Sequence, residues 1–477
     1  MDEIVGSGSF GDVVQESDKY VIKTYRNVPD DEYAMASFIR EVSVLSYMKM
    51  VSIPGTLKLF DVKQNQMKLN LMQTDLRMFI HHARQRRIHY MSKLLTSVNQ
   101  CHISGILHRD IKPSNILVDT VKKKLILCDF GTAYMYYIHN NESSIIKIKK
   151  STSYTTKVYL HPKLMGGKQL YYKYEMDAWS ILMIWADLLN LSFWTNLLML
   201  PDHSEKAILK YYENIDVDMI KKEMIEKSIY EEEMNAFCKT YTMLMDMDFS
   251  IIGRSVMTLY EIFDSSIFVM RTPNTIYTSS YFVYSIESKD TYDHDPLIMT
   301  NSEREGACNW LLCMIYKYKL CISIYFYILQ LWNRLNSHKY KYVKDEMNDY
   351  DSMKLLLPCI IIYLFLFDLQ DHVHMDTIIY EWNKYFHSSS IVITDVKQYI
   401  ITILSYYHPC IFTPIHSIYC PFQVDHEMFP IYMNISIHFS KTLTWNTKKA
   451  LDKHNDILCN MYMKDKVKHY KFYYYKH

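Results

Sequence analysis

Two polar clusters at a fixed separation limit what this chain can fold into. His108–Arg109–Asp110–Ile111–Lys112–Pro113–Ser114–Asn115 is followed by Asp129–Phe130–Gly131, with thirteen residues between Asn115 and Asp129. Residues 116–119 and 124–128 in that gap read as short strands around a turn. The pattern predicts a hairpin that brings Asn115 and Asp129 to one cleft, where their hard oxygen donors suit Mg²⁺. Asp110 is placed to accept or orient a hydroxyl proton, and Lys112 to neutralise charge on a transferring phosphoryl group. Singly, His108 passes for a satisfied core histidine and Asp110 and Lys112 for surface charges. Their order in one chain is what makes the signal specific.

The residues upstream supply the remaining parts of such a site. Gly6, Gly8 and Gly11 surround Phe10 and precede Val13, a spacing that lets a hairpin backbone approach phosphates closely. The alternation around Val13, Val14 and residues 20–23 predicts two strands joined at residues 16–19. Lys23 follows Val13 by ten residues, in reach of α- and β-phosphates. Apolar spacing at Phe38, Val42 and Leu45 predicts a helix over 30–48 that carries Glu41. Two more strands are expected over 57–62 and 68–72.

The full series resembles the eukaryotic protein kinases. The resemblance implies that Glu41 pairs with Lys23, that Asn115 and Asp129 bind metal, and that Lys112 marks a serine/threonine rather than a tyrosine enzyme. Ile39–Arg40–Glu41 resembles the signature helix of cyclin-dependent kinases, their cyclin-binding element. The segment before Asp75–Leu76 looks short for an adenine-binding hinge, with Leu71 and Met72 the gatekeeper candidates. Residues 156–163 resemble the end of an activation segment, with Thr156 facing the catalytic loop, and Gly166–Gly167 shortly after fits the same group. Asp177–Ala178–Trp179 resembles the start of the central large-lobe helix. Two departures stand out. Lys163 replaces a glutamate that ordinarily pairs with a buried arginine, so that clamp is reversed in sign or absent. Tyr134 replaces one of three arginines that gather an activation phosphate, leaving Arg40 and Arg109. Counting back from Pro162 puts the corresponding phosphosite at Ser151, beside Thr152.

Beyond a polar break at 293–296, helical patterns recur over 303–318, 323–335, 350–367, 375–385 and 394–406, with Pro358 expected to kink or shorten the third. Arg304, Trp310 and Leu311, the apolar run 355–367 with the acidic turn 368–371, and residues 408–414 resemble a cyclin box. One mismatch is Asp368, near the place of a lysine that cyclins use to grip the kinase helix. The expected fold class is α+β: a bilobal protein-kinase fold followed by an all-α, cyclin-like helical domain. Its parts are a small lobe at 1–75, a large lobe at 76–295, the helical domain at 300–425 and a tail or accessory helices at 426–477.

Composition narrows the alternatives. A net charge of +1 gives no field for nucleic acid or an anionic membrane. The longest apolar run, thirteen residues, stops at Asp368, against about 20 for a membrane span. Ten cysteines without a C-x-x-C pair read as buried free thiols of a reducing compartment, cytoplasm or nucleus. Few glycines and many tyrosines and isoleucines suit an AT-biased genome, such as a large DNA virus acting in a host cell or a protist. The resemblance implies a serine/threonine protein kinase using ATP and Mg²⁺, with protein as substrate. Its activator would be a cyclin-like module in cis or an external cyclin. The alternatives are a pseudokinase scaffold and a small-molecule phosphotransferase.

Overall fold

The computed structural model describes residues 4–7, 11–28, 30–50, 53, 56–135, 146–148, 156–165, 170–172, 174–247, 258–269, 301–318, 353–366, 373–387 and 390–407, with isolated positions between 320 and 336. Gly8, Phe10, Ser151, Thr152, Asp368 and residues 408–414 lie outside them, as do the 293–296 break and most of the helix expected over 323–335. The chain divides into two compact units. One comprises 1–278 with 364–375 and 392–412; the other comprises 279–363, 376–391 and 413–477. The helical region expected as one block at 300–425 is therefore shared between them.

The first unit is bilobal. Its small lobe is an antiparallel sheet in the order β1-β2-β3-β5-β4, formed by β1 (Ile4–Ser7), β2 (Gly11–Gln15), β3 (Tyr20–Tyr25), β4 (Leu59–Lys63) and β5 (Gln66–Asn70). Gly6, Val13, Lys23 and Met67 are successive cross-strand partners and so share one face. Gly11 is demanded by the sheet itself, because a Cβ there would overlap the Thr24 carbonyl. At Gly6 a Cβ would meet Val13 only at 3.8 Å, so packing leaves room for a side chain. Between β3 and β4 runs α1 (Glu32–Met50), opened by Asp31, whose carboxylate accepts from the Tyr33 amide at 2.8 Å.

The large lobe starts with β6 (Thr74–Asp75) and α2 (Leu76–Arg84), where Asp75 caps the helix by accepting from the Met78 amide. Next come α3 (Arg87–Ile103), β7 (Ile106–Leu107), β8 (Ile116–Asp119), β9 (Lys124–Leu127) and β10 (Tyr134–Met135). β8 and β9 form the expected hairpin, with Ile116 opposite Leu127. β11 (Ile146–Ile148) pairs with β12 (Leu170–Tyr172). The core is built on α4 (Tyr174–Leu188), followed by α5 (Ser192–Leu198), α6 (Glu205–Tyr212), α7 (Val217–Glu226), α8 (Glu231–Asp246) and α9 (Leu259–Ile262). Trp185 stands edge-on to Phe237 and Phe268 at 5.1 and 4.8 Å.

After the large lobe every described element is helical: α10 (Asn301–Lys317), α11 (Leu356–Leu366), α12 (Met375–Tyr385) and α13 (Ile393–Tyr407). α11 is shorter than the apolar pattern, and Pro358 is the reason. It sits in the first turn, where its missing N–H has no intrahelical acceptor to lose. In the second unit Trp310 meets Trp382 edge-to-face at 5.0 Å, and Lys317 pairs with Glu381 at 2.6 Å. Among the described residues no single helix is long and apolar enough to cross a membrane.

A bidentate ion pair ties α3 to α8 beneath this core. Arg87 Nε and Nη2 lie 2.8 and 2.6 Å from the Glu233 carboxylate, which also accepts from the Trp185 indole at 3.2 Å. Removing one member of such a pair leaves a buried charge uncompensated. Arg87→Met is expected to destabilise the chain by about 3 kcal/mol in urea unfolding, and Arg87→Met with Glu233→Leu to recover most of it. Additive losses in the double variant would contradict the pairing.

Candidate active site

Lys23 is the centre of the site. From β3 its ammonium reaches Glu41 Oε2 on α1 at 2.6 Å and Asp129 Oδ1 beyond β9 at 3.1 Å. Burial alone would lower its pKa, but the Asp129 and Glu41 charges outweigh that and hold it well above the usual lysine value. Burial would likewise raise Asp129, yet Lys23 holds its carboxyl below the usual range. Asp129 remains 41% exposed and open to solvent, whereas Glu41 is 1% exposed. α1 can approach Asp129–Phe130–Gly131 closely because residue 131 has no side chain. A Cβ there would overlap Ser37 Oγ and stand 3.3 Å from Ser37 Cβ.

Asp110 is held from three sides. Lys112 Nζ is 2.7 Å from Oδ2, the Asn115 side-chain nitrogen donates to the same oxygen at 3.0 Å, and the Thr156 amide donates to Oδ1 at 3.1 Å. Lys112 also donates to Thr156 Oγ1 at 2.8 Å, tying the activation segment to the catalytic loop. With the Asn115 nitrogen committed to Asp110, its oxygen is the atom left for a metal. An amide oxygen and an open carboxylate at the two ends of one hairpin are the donor chemistry that Mg²⁺ takes.

Asp177, fully buried at the start of α4, holds this loop in shape. It accepts from the backbone amides of His108 and Arg109 and bonds His102 Nε2, each at 2.9 Å. Two residues of the site have left-handed backbones, Arg109 at φ 68° and Asp129 at φ 63°. Each such residue costs about 1–3 kcal/mol and persists only where surrounding bonds impose it.

The sequence candidates thus fall into place unevenly. Lys23, Glu41 and Asp129 form one hydrogen-bonded set and Asp110, Lys112 and Asn115 a second, with the Cys128 amide beside Asp129 donating to the Asn115 carbonyl at 3.0 Å; Gly6, Gly11 and Val13 lie in the strands before them. Gly8 and Phe10 lie outside the described residues. Tyr25 escaped the sequence reading, although its i+2 spacing from Lys23 on a strand was a usable signal. Its hydroxyl donates to Glu41 Oε2, and its ring packs against Phe38 at 5.2 Å. Leu69, opposite Val21 and buried, occupies the Lys23 face of β5, whereas Leu71 and Met72 are half-buried.

The two arginines expected to grip a phosphate each bond a backbone carbonyl through Nε, and the phosphosite they would serve lies outside the described residues. Arg40 Nε donates to the Phe365 carbonyl at 2.9 Å. Arg109 Nε donates to the Thr132 carbonyl at 2.5 Å, and its guanidinium lies 5.6 Å from the centre of the Tyr134 ring. Lys163 resolves the other departure, because its clamp is reversed in sign. Its ammonium donates to the Met247 carbonyl at the C-cap of α8, at 2.7 Å, where helix carbonyls favour a cation. His161 reinforces that anchor. The Lys163 amide donates to His161 Nδ1 at 3.1 Å, so Nε2 carries the proton and donates to the Leu244 carbonyl at 3.0 Å.

Burial and the Lys163 charge, opposed by the bond to Leu244, bring the His161 pKa down to about 3. The folded chain therefore stays neutral at His161 where the unfolded chain takes a proton near 6.5. Its contribution to stability is whole above 6.5 and is lost as pH falls from 6.5 toward 3, at up to about 1.4 kcal/mol per pH unit. His161→Gln is expected to flatten the pH dependence of urea unfolding across that window; an unchanged slope would contradict the assignment. Tyr25→Phe removes a donor to a buried carboxylate and is expected to cost about 1–3 kcal/mol in the same assay. A loss within error would show that Tyr25 gives Glu41 no support.

Comparison with known proteins gives a consistent result. The protein kinase domain family matches residues 1–246. "Cell division control protein 2 homolog D" of Antirrhinum majus is 31% identical over 211 residues, covering 39% of this chain and 64% of that protein. "Cyclin-dependent kinase B2-1" of Oryza sativa subsp. japonica is 32% identical over 209 residues, covering 39% of this chain and 61% of that protein. Each alignment spans less than two thirds of the relative's length. The family match, in contrast, runs through the small lobe, the catalytic loop and the large lobe to the end of α8, more than half of the chain, and the chain belongs to the protein kinase domain family.

Proposed function

We propose that the chain is an ATP-dependent serine/threonine protein kinase of cyclin-dependent type that carries a cyclin-like helical module of its own. The observation that carries the enzyme reading is Lys23 standing between Glu41 and Asp129, with Asp110, Lys112 and Asn115 joined in one network. A scaffold has no need for this arrangement. The names of the two plant relatives and the Ile39–Arg40–Glu41 string support the cyclin-dependent type. The α10–α13 helices and the buried Trp310 support the cyclin-like module. The organism and the compartment rest on composition alone.

In the proposed reaction Glu41 and Tyr25 position Lys23, which binds the α- and β-phosphates of ATP. Mg²⁺ held by Asn115 Oδ1 and Asp129 would neutralise charge on the phosphate oxygens. Asp110 orients the substrate hydroxyl and takes its proton, while Lys112 offsets charge developing on the transferred phosphoryl. Thr156 keeps the peptide-binding segment in register with that loop, which favours a protein over a small-molecule acceptor. Val13, Val21 and Leu69 line the face where adenine would lie, and Leu69 is the gatekeeper. Gly6, which packing does not require to be glycine, leaves space for a phosphate to approach.

The test is phosphate transfer from Mg-ATP to a serine/threonine peptide library by the intact chain. Transfer is expected, with Asp110→Asn and Asp129→Asn each reducing kcat by about 10²-fold or more. No transfer, even with added cyclins and an activating kinase, would leave the scaffold reading in its place.

A further inference from the structure

α1 has no dry face and wet face: every residue from 34 to 48 is buried. A helix at the edge of a small lobe ordinarily leaves its polar side in water. Here Ser37, Arg40, Glu41, Ser43 and Ser46 are buried along with the apolar positions. β4 and the turn at 130–132 contact α1. A further contact comes from far along the chain. Arg40, 3% exposed, donates from Nε to the carbonyl of Phe365, 325 residues away. Phe365 lies in the last turn of α11, where carbonyls have no intrahelical donor and carry the negative end of the helix dipole. A guanidinium is well matched to that position. A second fastening lies nearby in the same unit. α13 packs against β4, and the Gln64 amide, in the turn between β4 and β5, donates to Ser405 Oγ at 3.1 Å.

We propose that Leu364–Leu366 and α13 form a built-in stay for α1, and that Arg40 is the positioning residue through which the stay holds its neighbour Glu41 on Lys23. The occupant of the α1 surface is this chain's own downstream segment. A stay of this kind requires neither a separate protein seated on α1 nor a phosphate on the activation segment. The kinetic part of the test rests on the kinase reading, whereas the exchange part does not.

The experiment uses the full chain, wild type and three variants, each measured before and after phosphatase treatment. Arg40→Met removes the donor but keeps the stem, and Arg40→Lys restores one donor. Ser405→Ala breaks the second fastening at a half-buried position near the end of α13, where alanine suits a helix. Amide hydrogen exchange is followed in α1, in the β4–β5 hairpin and, as reference, in α4. The expected result is about tenfold faster exchange of α1 in Arg40→Met, the value for one lost charge-assisted hydrogen bond, with α4 unchanged and recovery in Arg40→Lys. Ser405→Ala is expected to speed exchange in the β4–β5 hairpin. The KM for ATP should rise in Arg40→Met by the same factor whether or not the chain has met phosphatase.

Unchanged α1 exchange in Arg40→Met, together with unchanged hairpin exchange in Ser405→Ala, would overturn the stay. So would a wild-type chain that falls to the Arg40→Met level on phosphatase treatment, since Arg40 would then act by holding a phosphate. If the wild type transfers no phosphate while α1 exchange responds as expected, the stay stands and the kinase reading fails.

Discussion

The bond between Lys23 and Glu41 is the constraint around which the rest of this fold is arranged. A carboxylate as buried as Glu41 is costly unless compensated, and the compensation comes from one ammonium and one phenol meeting a single oxygen. Lys23 is itself shared with Asp129, so three parts of the chain, β3, α1 and the end of the β8–β9 hairpin, meet at one nitrogen. That sharing also explains the close packing at Gly131. Only a residue without a side chain lets α1 come near enough for the carboxylates of both elements to reach the same lysine. The Lys23 ion pairs thereby tie the small lobe to the neighbour of the catalytic loop.

Rigidity of a different kind holds the loop on the other side of the cleft. Two left-handed non-glycine residues, Arg109 and Asp129, stand where the polar groups must point into the cleft. Asp177 holds the first through two backbone amides, and the Lys23 pair holds the second. Burial alone would raise the Asp177 pKa, but the bond to His102 and the charges of His102 and His108 outweigh it and hold the carboxyl below the usual range, so it serves as an acceptor. Catalytic geometry here is over-determined by hydrogen bonds to backbone, and this lets strained residues persist.

Much of this site could be read in the sequence because its parts are local. The hairpin between Asn115 and Asp129, the strand carrying Lys23 and the helix carrying Glu41 each follow from short-range periodicity, and their order in the chain fixed the chemistry. What periodicity could not convey was which partner a side chain finds across space. Arg40 and Arg109 resemble a phosphate grip, and nothing in the sequence shows that carbonyls of Phe365 and Thr132 take their Nε donors. Lys163 looked like a broken clamp because its acceptor, a helix-end carbonyl, leaves no mark in the sequence. Tyr25 was overlooked because an aromatic on a strand suggests packing before it suggests a hydroxyl donor. α11 came out shorter than its apolar run because Pro358 can be accommodated only in a first turn.

The reversed clamp has a consequence for how such a chain can change over time. Lys163 donates to the end of α8, and His161 depends on the same turn for its proton's acceptor. A single substitution to glutamate at 163 would set a carboxylate against carbonyl oxygens at the negative end of that helix. His161 would at once lose the neighbouring cation that helps keep its ring neutral. Positions 161, 163 and the last turn of α8 are therefore epistatic. Exchange of lysine for glutamate at 163 calls for matching replacements at 161 or in the last turn of α8, because both side chains bond carbonyls at that helix end and the Lys163 charge acts on the His161 ring.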